Sequence, residues 1–182
     1  DEAIAKAKEV DEARKAGKPV SKFAGIPIGI KDNMCITGTK TTCASKMLEN
    51  FKPLFSAEAV ERLEKSGYGV AGKANVGEFG LDLLGETSYF APETENGNLV
   101  AASAALVASG KVKAALNVDL NGAPRRAAAV SGVDFIKPTY GTVSRYGVIA
   151  CACSGEQIGV TAKNAETVAD IMGKIAGHDS KD

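Results

Sequence analysis

A short polar run directly follows an apolar, β-branched run near the start of the sequence. Residues 25–30 read Gly-Ile-Pro-Ile-Gly-Ile, which predicts a buried strand, and Lys31, Asp32 and Asn33 come next. Side chains at the end of such a strand often form binding or catalytic sites. A buried amine must be paired or neutral. Lys31 is therefore a candidate site residue, and the alternative is a structural lysine held by Asp32 or by backbone carbonyl groups.

The cysteines and the single histidine do not have the spacing of a metal site. The four cysteines are Cys35, Cys43, Cys151 and Cys153. They lack the paired C-x-x-C hooks of structural zinc sites, and the lone His178 lies in a polar tail. We expect small buried thiols, because free cysteine is among the most buried residue types. No metal and no other cofactor is predicted.

For two further groups of side chains, a binding role is one of two alternatives, and a purely structural role is the other. Arg125 and Arg126 could hold an anion, but adjacent arginines commonly form a solvated edge, and no glycine-rich loop of the P-loop type is near them. Phe135, Tyr140 and Tyr146 fit packing better than base stacking, because no basic residues interleave with them. The sequence gives no direct signal for nucleic acid.

Bulk composition indicates an ordinary globular chain of about one domain. The chain has 182 residues, of which 45% are hydrophobic and 24% charged, and 22 Lys and Arg balance 22 Asp and Glu. No global electrostatic field therefore favours nucleic acid or an acidic membrane. No apolar run approaches the roughly 18 residues needed to span a bilayer, so no transmembrane segment is predicted.

Helix and strand patterns alternate along the chain, which predicts an α/β fold with a parallel or mixed sheet. Glycines and prolines mark the ends of several of these segments. Helices are expected at residues 3–16, 57–65, 100–109 and 165–175, and strands at residues 25–30, 68–71 and 112–118.

Seven ordered segments resemble the amidase-signature family, and within it the A subunits of aspartyl/glutamyl-tRNA amidotransferases. They are GIPIGIKDN at 25–33, TTCASK at 41–46, GKAN at 72–75, ETSYF at 86–90, KPTYG at 137–141, VSRYG at 143–147 and QIG at 157–159. The resemblance covers almost the whole chain and corresponds to roughly the first half of such a protein. It implies a layered α/β/α fold with a mixed sheet, present only in part: a single partial domain over residues 1–182, with an N-terminal helix at 1–17 and an α/β core at 25–176.

The resemblance also assigns the positions of a catalytic triad. Amidases of the family use a serine nucleophile, a second serine that relays its proton, and a lysine that must be neutral to accept it. Lys31 matches the family's lysine. The nucleophile of the family's Ser-Asp-Thr-Gly-Gly-Ser loop matches Ala123, and the relay serine matches Leu99. Both serines are therefore expected to be lost, and Lys31 is expected to be retained without a catalytic role.

Two glycine-rich loops of the family are altered as well. The relay loop reads Leu-Val-Ala-Ala at 99–102, so the geometry that brings backbone N–H groups to an oxyanion is expected to be lost. The substrate-pocket loop Met-Gly-Gly-Ser-Thr reads Leu-Asp-Leu-Leu-Gly at 81–85. Ser103 matches a family serine that is not the nucleophile and Ser131 falls beyond the turn, so neither is expected to substitute.

The function predicted from these changes is that of a catalytically inactive amidase relative. It would serve as a structural or interaction subunit, with protein partners covering the edges of a truncated sheet. The alternative is a glutamine-hydrolysing subunit of a tRNA-dependent amidotransferase whose serines come from another segment or chain. A third alternative is a degraded or deliberately altered fragment with no selected activity. Family analogy implies a cytoplasmic or organellar location.

Overall fold

The computed structural model describes residues 2–21, 24–90, 94–95, 98–99 and 102–182. The helices are α1 (Glu2–Lys15), α2 (Glu58–Lys65), α3 (Ala102–Ala108), α4 (Ala123–Ser131) and α5 (Ala165–Ile175), with 3₁₀ turns at Lys46–Leu48 and Glu78–Gly80. The strands are β1 (Pro27–Lys31), β2 (Gly69–Ala74), β3 (Thr94–Glu95), β4 (Asn98–Leu99), β5 (Ala114–Asp119), β6 (Asp134–Ile136) and β7 (Gln157–Ala162).

Five strands form one mixed sheet in the order β2-β1-β5-β7-β6. The first three are parallel, whereas β7 runs antiparallel to both β5 and β6. Strands β3 and β4 form a separate antiparallel pair. Because β1 and β5 are parallel neighbours, their carboxyl ends lie at the same edge of the sheet, and the chain after each strand is brought to one place.

The central strand β5 shows how the sheet separates two layers of helices. Ala114, Leu116 and Val118 pack in a cluster with α2 and α5, whereas Ala115 packs in a second cluster with α3 and α4. Successive side chains of a strand point to opposite faces. Asn117 and Asp119 therefore face the side of α3 and α4, and the α/β/α layering expected from the resemblance is confirmed.

The strand and helix predictions are right in type, and all except the helix at residues 165–175 differ from the structure at one or both ends. Lys31 is the last residue of β1 rather than the first residue after it. The helix predicted at residues 100–109 is observed from Ala102, and residues 100 and 101 lie outside the described residues. Helix α4 and strands β6 and β7 were not predicted, although α4 carries the candidate position Ala123.

Gly147 shows the closest backbone approach near the start of α2. Its φ is +84°, and a Cβ there would overlap the Cα of Ala57 and lie 2.9 Å from the Ala57 amide nitrogen. The Gly147 carbonyl accepts from the Cys35 amide at 2.8 Å, and the Cys35 carbonyl accepts from the Ala57 amide at 2.9 Å. Only glycine fits a position that combines left-handed φ with this contact.

Gly147→Ala is expected to lower the free energy of unfolding by roughly 2–5 kcal/mol, from left-handed strain together with overpacking. Gly141→Ala is the matched control, because Gly141 has φ +82° but nothing within 4 Å of the added Cβ. The control isolates the cost of φ, about 1–2 kcal/mol. Urea unfolding of both variants measures the difference. Equal losses of unfolding free energy would show that the contact with Ala57 contributes nothing to it.

Candidate active site

Lys31 lies buried at the carboxyl edge of the sheet, on the face that α3 and α4 cover. Its side chain donates a hydrogen bond from Nζ to the Val118 carbonyl oxygen at 2.8 Å, and the residue is 3% exposed. A Cβ at Gly80 would lie 3.4 Å from Nζ, so the 3₁₀ turn at Glu78–Gly80 passes close to the amine. None of the ion pairs found among the described residues includes Lys31.

The pKa of Lys31 is lowered from 10.5 to about 8. Burial is the main cause, because desolvation disfavours the charged amine. The negative charges of Asp119, Asp82 and Glu156 oppose the shift without cancelling it. A lysine with this pKa is mostly protonated at pH 7 but releases its proton nearer to neutral pH than an ordinary lysine, as acid–base chemistry favours. The same shift follows for any buried lysine that lacks an ion pair.

Asp119 ends β5 and is completely buried. Arg125 donates to it through Nε at 2.9 Å and through Nη2 at 3.1 Å, and Lys137 donates at 3.1 Å. Burial raises the pKa of the Asp119 carboxyl, but the hydrogen bonds from Arg125 and Lys137 outweigh it and lower the pKa overall. Arg125 is thus bound to a carboxylate of its own chain, which argues against the alternative of a phosphate site.

Ala123 begins α4 at the same edge of the sheet, four residues after β5 ends. Gly122 precedes it with φ +101°, and Ala123 is 7% exposed. The Ala123 amide donates to the side-chain oxygen of Asn121 at 3.2 Å, and the Asn121 side-chain nitrogen donates to the Leu81 carbonyl at 2.8 Å. The loop after β5 is therefore bonded to the loop that follows the turn at Glu78–Gly80.

Leu99 lies in β4, where its backbone pairs with Thr94 of β3, three residues before α3 begins. Only its backbone is among the described features. The structure therefore brings Lys31 and Ala123 to one edge of the sheet, and it describes no contact that joins Leu99 to either of them. The roles of Lys31, Leu99 and Ala123 as triad positions remain predictions.

Of the two serines that could replace a lost nucleophile, Ser103 has a structural partner and Ser131 lies at the far end of α4. Ser103 on α3 pairs with the side-chain oxygen of Asn117 at 2.5 Å, and Asn117 donates to Thr161 at 2.8 Å, which links α3 to β5 and β7. Ser131 is the last residue of α4, eight residues from Ala123, or about 12 Å along a helix. Neither hydroxyl is placed where a nucleophile at the start of α4 would lie.

Asp32, which follows Lys31, forms an ion pair that the sequence did not reveal. Lys73 of β2 lies 3.3 Å from Asp32 and donates to Thr41 at 3.1 Å, while Asp32 accepts from the Thr42 amide at 3.0 Å. Asp32 is thus paired with Lys73 and not with Lys31. No sequence signal indicated this pairing, because β2 is 42 residues further along and its register with β1 was unknown.

The thiol prediction is right for two cysteines and wrong for the other two. Cys35 and Cys43 are buried, and burial raises the pKa of Cys43 to about 12. Cys151 and Cys153 are exposed, because the residues around 151–155 form a turn before β7 rather than a core strand. Among the residues that the structure describes, no three His, Cys, Asp or Glu side chains are arranged to hold a metal ion.

The length and hydropathy of the helices bear on membrane insertion. Of the helices in the described part of the chain, none is long and apolar enough to cross a bilayer.

Comparison with known proteins identifies the family. The amidase family model matches residues 1–182, so the chain belongs to the amidase family. It is 47% identical to the A subunit of glutamyl-tRNA(Gln) amidotransferase from Lachnospira eligens, an alignment that covers 100% of this chain and 39% of that protein. The chain thus spans about two fifths of the length of such relatives.

Solved structures agree with this assignment. The crystal structure of the A subunit of glutamyl-tRNA(Gln) amidotransferase from Thermotoga maritima has a TM-score of 0.84 at 42% identity, covering 91% of this chain and 38% of that one. A structure described as a vestigial protein complex that reveals the origins of an s-triazine catabolic enzyme has a TM-score of 0.93 at 28% identity, covering 100% of this chain and 41% of that one. These likenesses confirm the predicted resemblance and fold.

Proposed function

We propose that the chain is a catalytically inactive member of the amidase family that acts as a structural or interaction subunit. The observation that carries the proposal is the position of Ala123. It lies at the start of α4, beside the edge of the sheet where Lys31 ends β1, and its methyl group offers no nucleophile. Removing the serine nucleophile of a hydrolase typically lowers turnover by a factor on the order of 10⁶.

The state of Lys31 is consistent with this proposal. Its amine donates to the Val118 carbonyl, an acceptor within the sheet. A catalytic lysine would instead need a serine hydroxyl in hydrogen-bond reach to begin a proton relay. With alanine at position 123 and leucine at position 99, the chain has no hydroxyl at the proposed nucleophile position or at the proposed relay position.

The partner proposal rests on exposed apolar side chains and on the relatives. Ile136 of the edge strand β6 is 48% exposed, and Val130 of α4 is 50% exposed. Exposed apolar surface next to a sheet edge is a common interaction surface. The relatives are named as subunits, and we propose that a protein partner covers this region, in the cytoplasm or in an organellar matrix or stroma by analogy with the family.

The second candidate is a glutamine-hydrolysing subunit of a tRNA-dependent amidotransferase, with serines supplied by another segment or chain. Two observations favour it: Lys31 is retained with its pKa lowered to about 8, and the relatives are glutamyl-tRNA(Gln) amidotransferase subunits by name. It requires another segment or chain to place two hydroxyls beside the amine of Lys31, a residue that is only 3% exposed.

An ammonia-release assay with glutamine, made on the protein purified gently from its source, separates the two candidates. We expect a stable hetero-complex by native mass spectrometry and no ammonia release from it. Lys31→Ala is the matched variant, because it keeps a structural subunit in its complex but removes the base of an enzyme. Ammonia release that Lys31→Ala abolishes would refute the inactive assignment, and a monomer in the native spectrum would refute the partner.

A further inference from the structure

Two loops that are about 40 residues apart in sequence are bonded through one side chain. We call residues 81–87 the 81–87 loop and residues 119–123 the 119–123 loop. Asn121 donates from its side-chain nitrogen to the Leu81 carbonyl at 2.8 Å, and its side-chain oxygen accepts from the Ala123 amide at 3.2 Å. The side-chain nitrogen of Asn121 therefore bonds to the 81–87 loop, and its side-chain oxygen bonds within the 119–123 loop.

The 81–87 loop is itself held by Asp82. The Asp82 carboxylate accepts from the Gly85 amide at 2.5 Å and from the amide of Thr87 at 3.0 Å, and it also pairs with the Thr87 hydroxyl. Burial raises the pKa of Asp82, but these hydrogen bonds outweigh it and lower the pKa. The Thr87 hydroxyl also accepts from the Glu78 amide at 2.9 Å. The Leu81 carbonyl that Asn121 contacts thus belongs to a loop with a fixed shape.

This arrangement occupies the Ala123 amide, which donates to Asn121 and is not free to donate elsewhere. Free backbone N–H groups at the start of a helix are the donors that acyl transfer needs, because they stabilise the negative oxygen of the tetrahedral intermediate. In the family stretch that residues 118–123 resemble, a glycine stands where this chain has Asn121. A glycine has no side chain to occupy the Ala123 amide or to reach Leu81.

We propose that Asn121 is a positioning residue that clamps the 81–87 loop to the 119–123 loop and occupies the Ala123 amide, which then cannot donate to a substrate oxygen. The inference rests on the proposed inactive function and explains it further. Position 123 has no hydroxyl, and in addition the amide of the same residue is occupied by the side chain of Asn121. An alternative is that Asn121 only caps the start of α4 and leaves the 81–87 loop unaffected.

Hydrogen exchange followed by mass spectrometry, on the full chain at pH 7, tests the clamp. Asn121→Ala removes both contacts and is expected to raise exchange about three- to tenfold in the 81–87 loop and at the Ala123 amide, the change that losing one hydrogen bond gives. Asn121→Asp keeps the acceptor for the Ala123 amide and loses the donor to Leu81. It is expected to raise exchange in the 81–87 loop alone.

Asn50→Ala is the control, because Asn50 is an exposed asparagine that accepts from Lys40 at 3.1 Å, outside both loops. It is expected to leave both loops unchanged. The clamp is refuted if Asn121→Ala alters exchange only at residues 119–123, which is the result for a helix cap alone. Because exchange is measured without substrate, a failed clamp and a failed assignment of inactivity are separate outcomes: the second is decided by ammonia release.

Discussion

Replacing Lys31 with methionine is expected to stabilise the folded protein at pH 7 by about 2 kcal/mol. The pKa of Lys31 falls from 10.5 in the unfolded chain to about 8 in the fold, mainly through burial. A shift of this size corresponds to about 3 kcal/mol of unfavourable free energy when the amine is protonated in both states. Losing the hydrogen bond to the Val118 carbonyl costs about 1 kcal/mol, which leaves the net stabilisation of about 2 kcal/mol.

The pH dependence has a definite sign. Between about pH 8 and pH 10.5 the folded Lys31 is neutral while the unfolded one is still protonated, so the unfolded state binds more protons. Stability therefore rises with pH across this window, and the penalty is fully present below pH 8. Lys31→Met lacks this rise. Its advantage over the natural protein is expected to shrink from pH 8 upward and to vanish by pH 10.5.

Lys73→Met is the control of opposite sign. Burial lowers the pKa of Lys73 too, but its amine lies 3.3 Å from Asp32, and removing it leaves a buried carboxylate without its cation. We expect Lys73→Met to destabilise the fold by about 3 kcal/mol. Urea unfolding at pH 7, 8, 9 and 10 compares the three proteins. A Lys31→Met variant that is less stable than the natural protein at pH 7 would show that Lys31 supports the fold.

Sequence reasoning was most successful where local patterns decide structure. The run at residues 25–30 predicted β1, and its apolar residues Ile28 and Ile30 are in the core. The helix at residues 165–175 was predicted with its true bounds, because Val168 and Ile171 recur on one face and Asn164 caps its start by accepting from the Thr167 amide. The α/β class was also predicted, from the alternation of helix and strand patterns, and the amidase family was predicted from ordered motifs rather than from composition.

The elements that sequence reasoning missed have weak local signals. Helix α4 reads APRRAAAVS, with proline and two arginines in its first turn, and its small residues pack against α3 only because β5 brings the two helices to one face. Strand β6 has three residues, of which Phe135 is partly buried and Ile136 is exposed, so no apolar alternation marks it. Both depend on packing between residues that are distant in sequence.

The site was predictable only as far as its residue types. Leu99 and Ala123 were chosen from the resemblance alone, whereas Lys31 was also indicated by its place at the end of an apolar run. The common sheet edge of Lys31 and Ala123 follows from parallel neighbours whose pairing no local pattern gives. The pairing of Asp119 with Arg125 and Lys137 was not predicted, nor was the bond from Asn121 to Leu81. Those contacts depend on loop conformation, which the glycine and asparagine content of residues 117–122 permits but does not determine.

Ala123→Ser is expected to release no measurable ammonia from glutamine, with turnover on the order of 10⁶ below that of a working serine hydrolase. The added hydroxyl would lie at the start of α4, but we expect its proton to have no path, because leucine stands at the proposed relay position 99 and the Lys31 amine donates to the Val118 carbonyl.

The neighbouring backbone acts against the restored hydroxyl as well. The amide of residue 123 is bonded to Asn121, so the donor that would stabilise an oxyanion is already used. Even a hydroxyl in the right place would therefore meet neither a base nor a free amide. Adding Leu99→Ser to Ala123→Ser supplies the relay hydroxyl but leaves the Asn121 contact and the altered residues 81–85 in place, and we expect it also to be inactive.

A coupled ammonia assay on the natural chain, Ala123→Ser and the double variant makes the comparison, with an active serine amidase measured in parallel as the reference. Circular dichroism checks that each variant is folded. We expect Ala123→Ser to fold, because Ala123 is the first residue of a helix, where serine is tolerated. Ammonia release from Ala123→Ser alone, abolished when Lys31→Ala is added, would mean that a single methyl-to-hydroxymethyl change restores a working site. Lys31 would then be a base in reach of position 123, and the assignment of three altered loops as the cause of inactivity would be wrong.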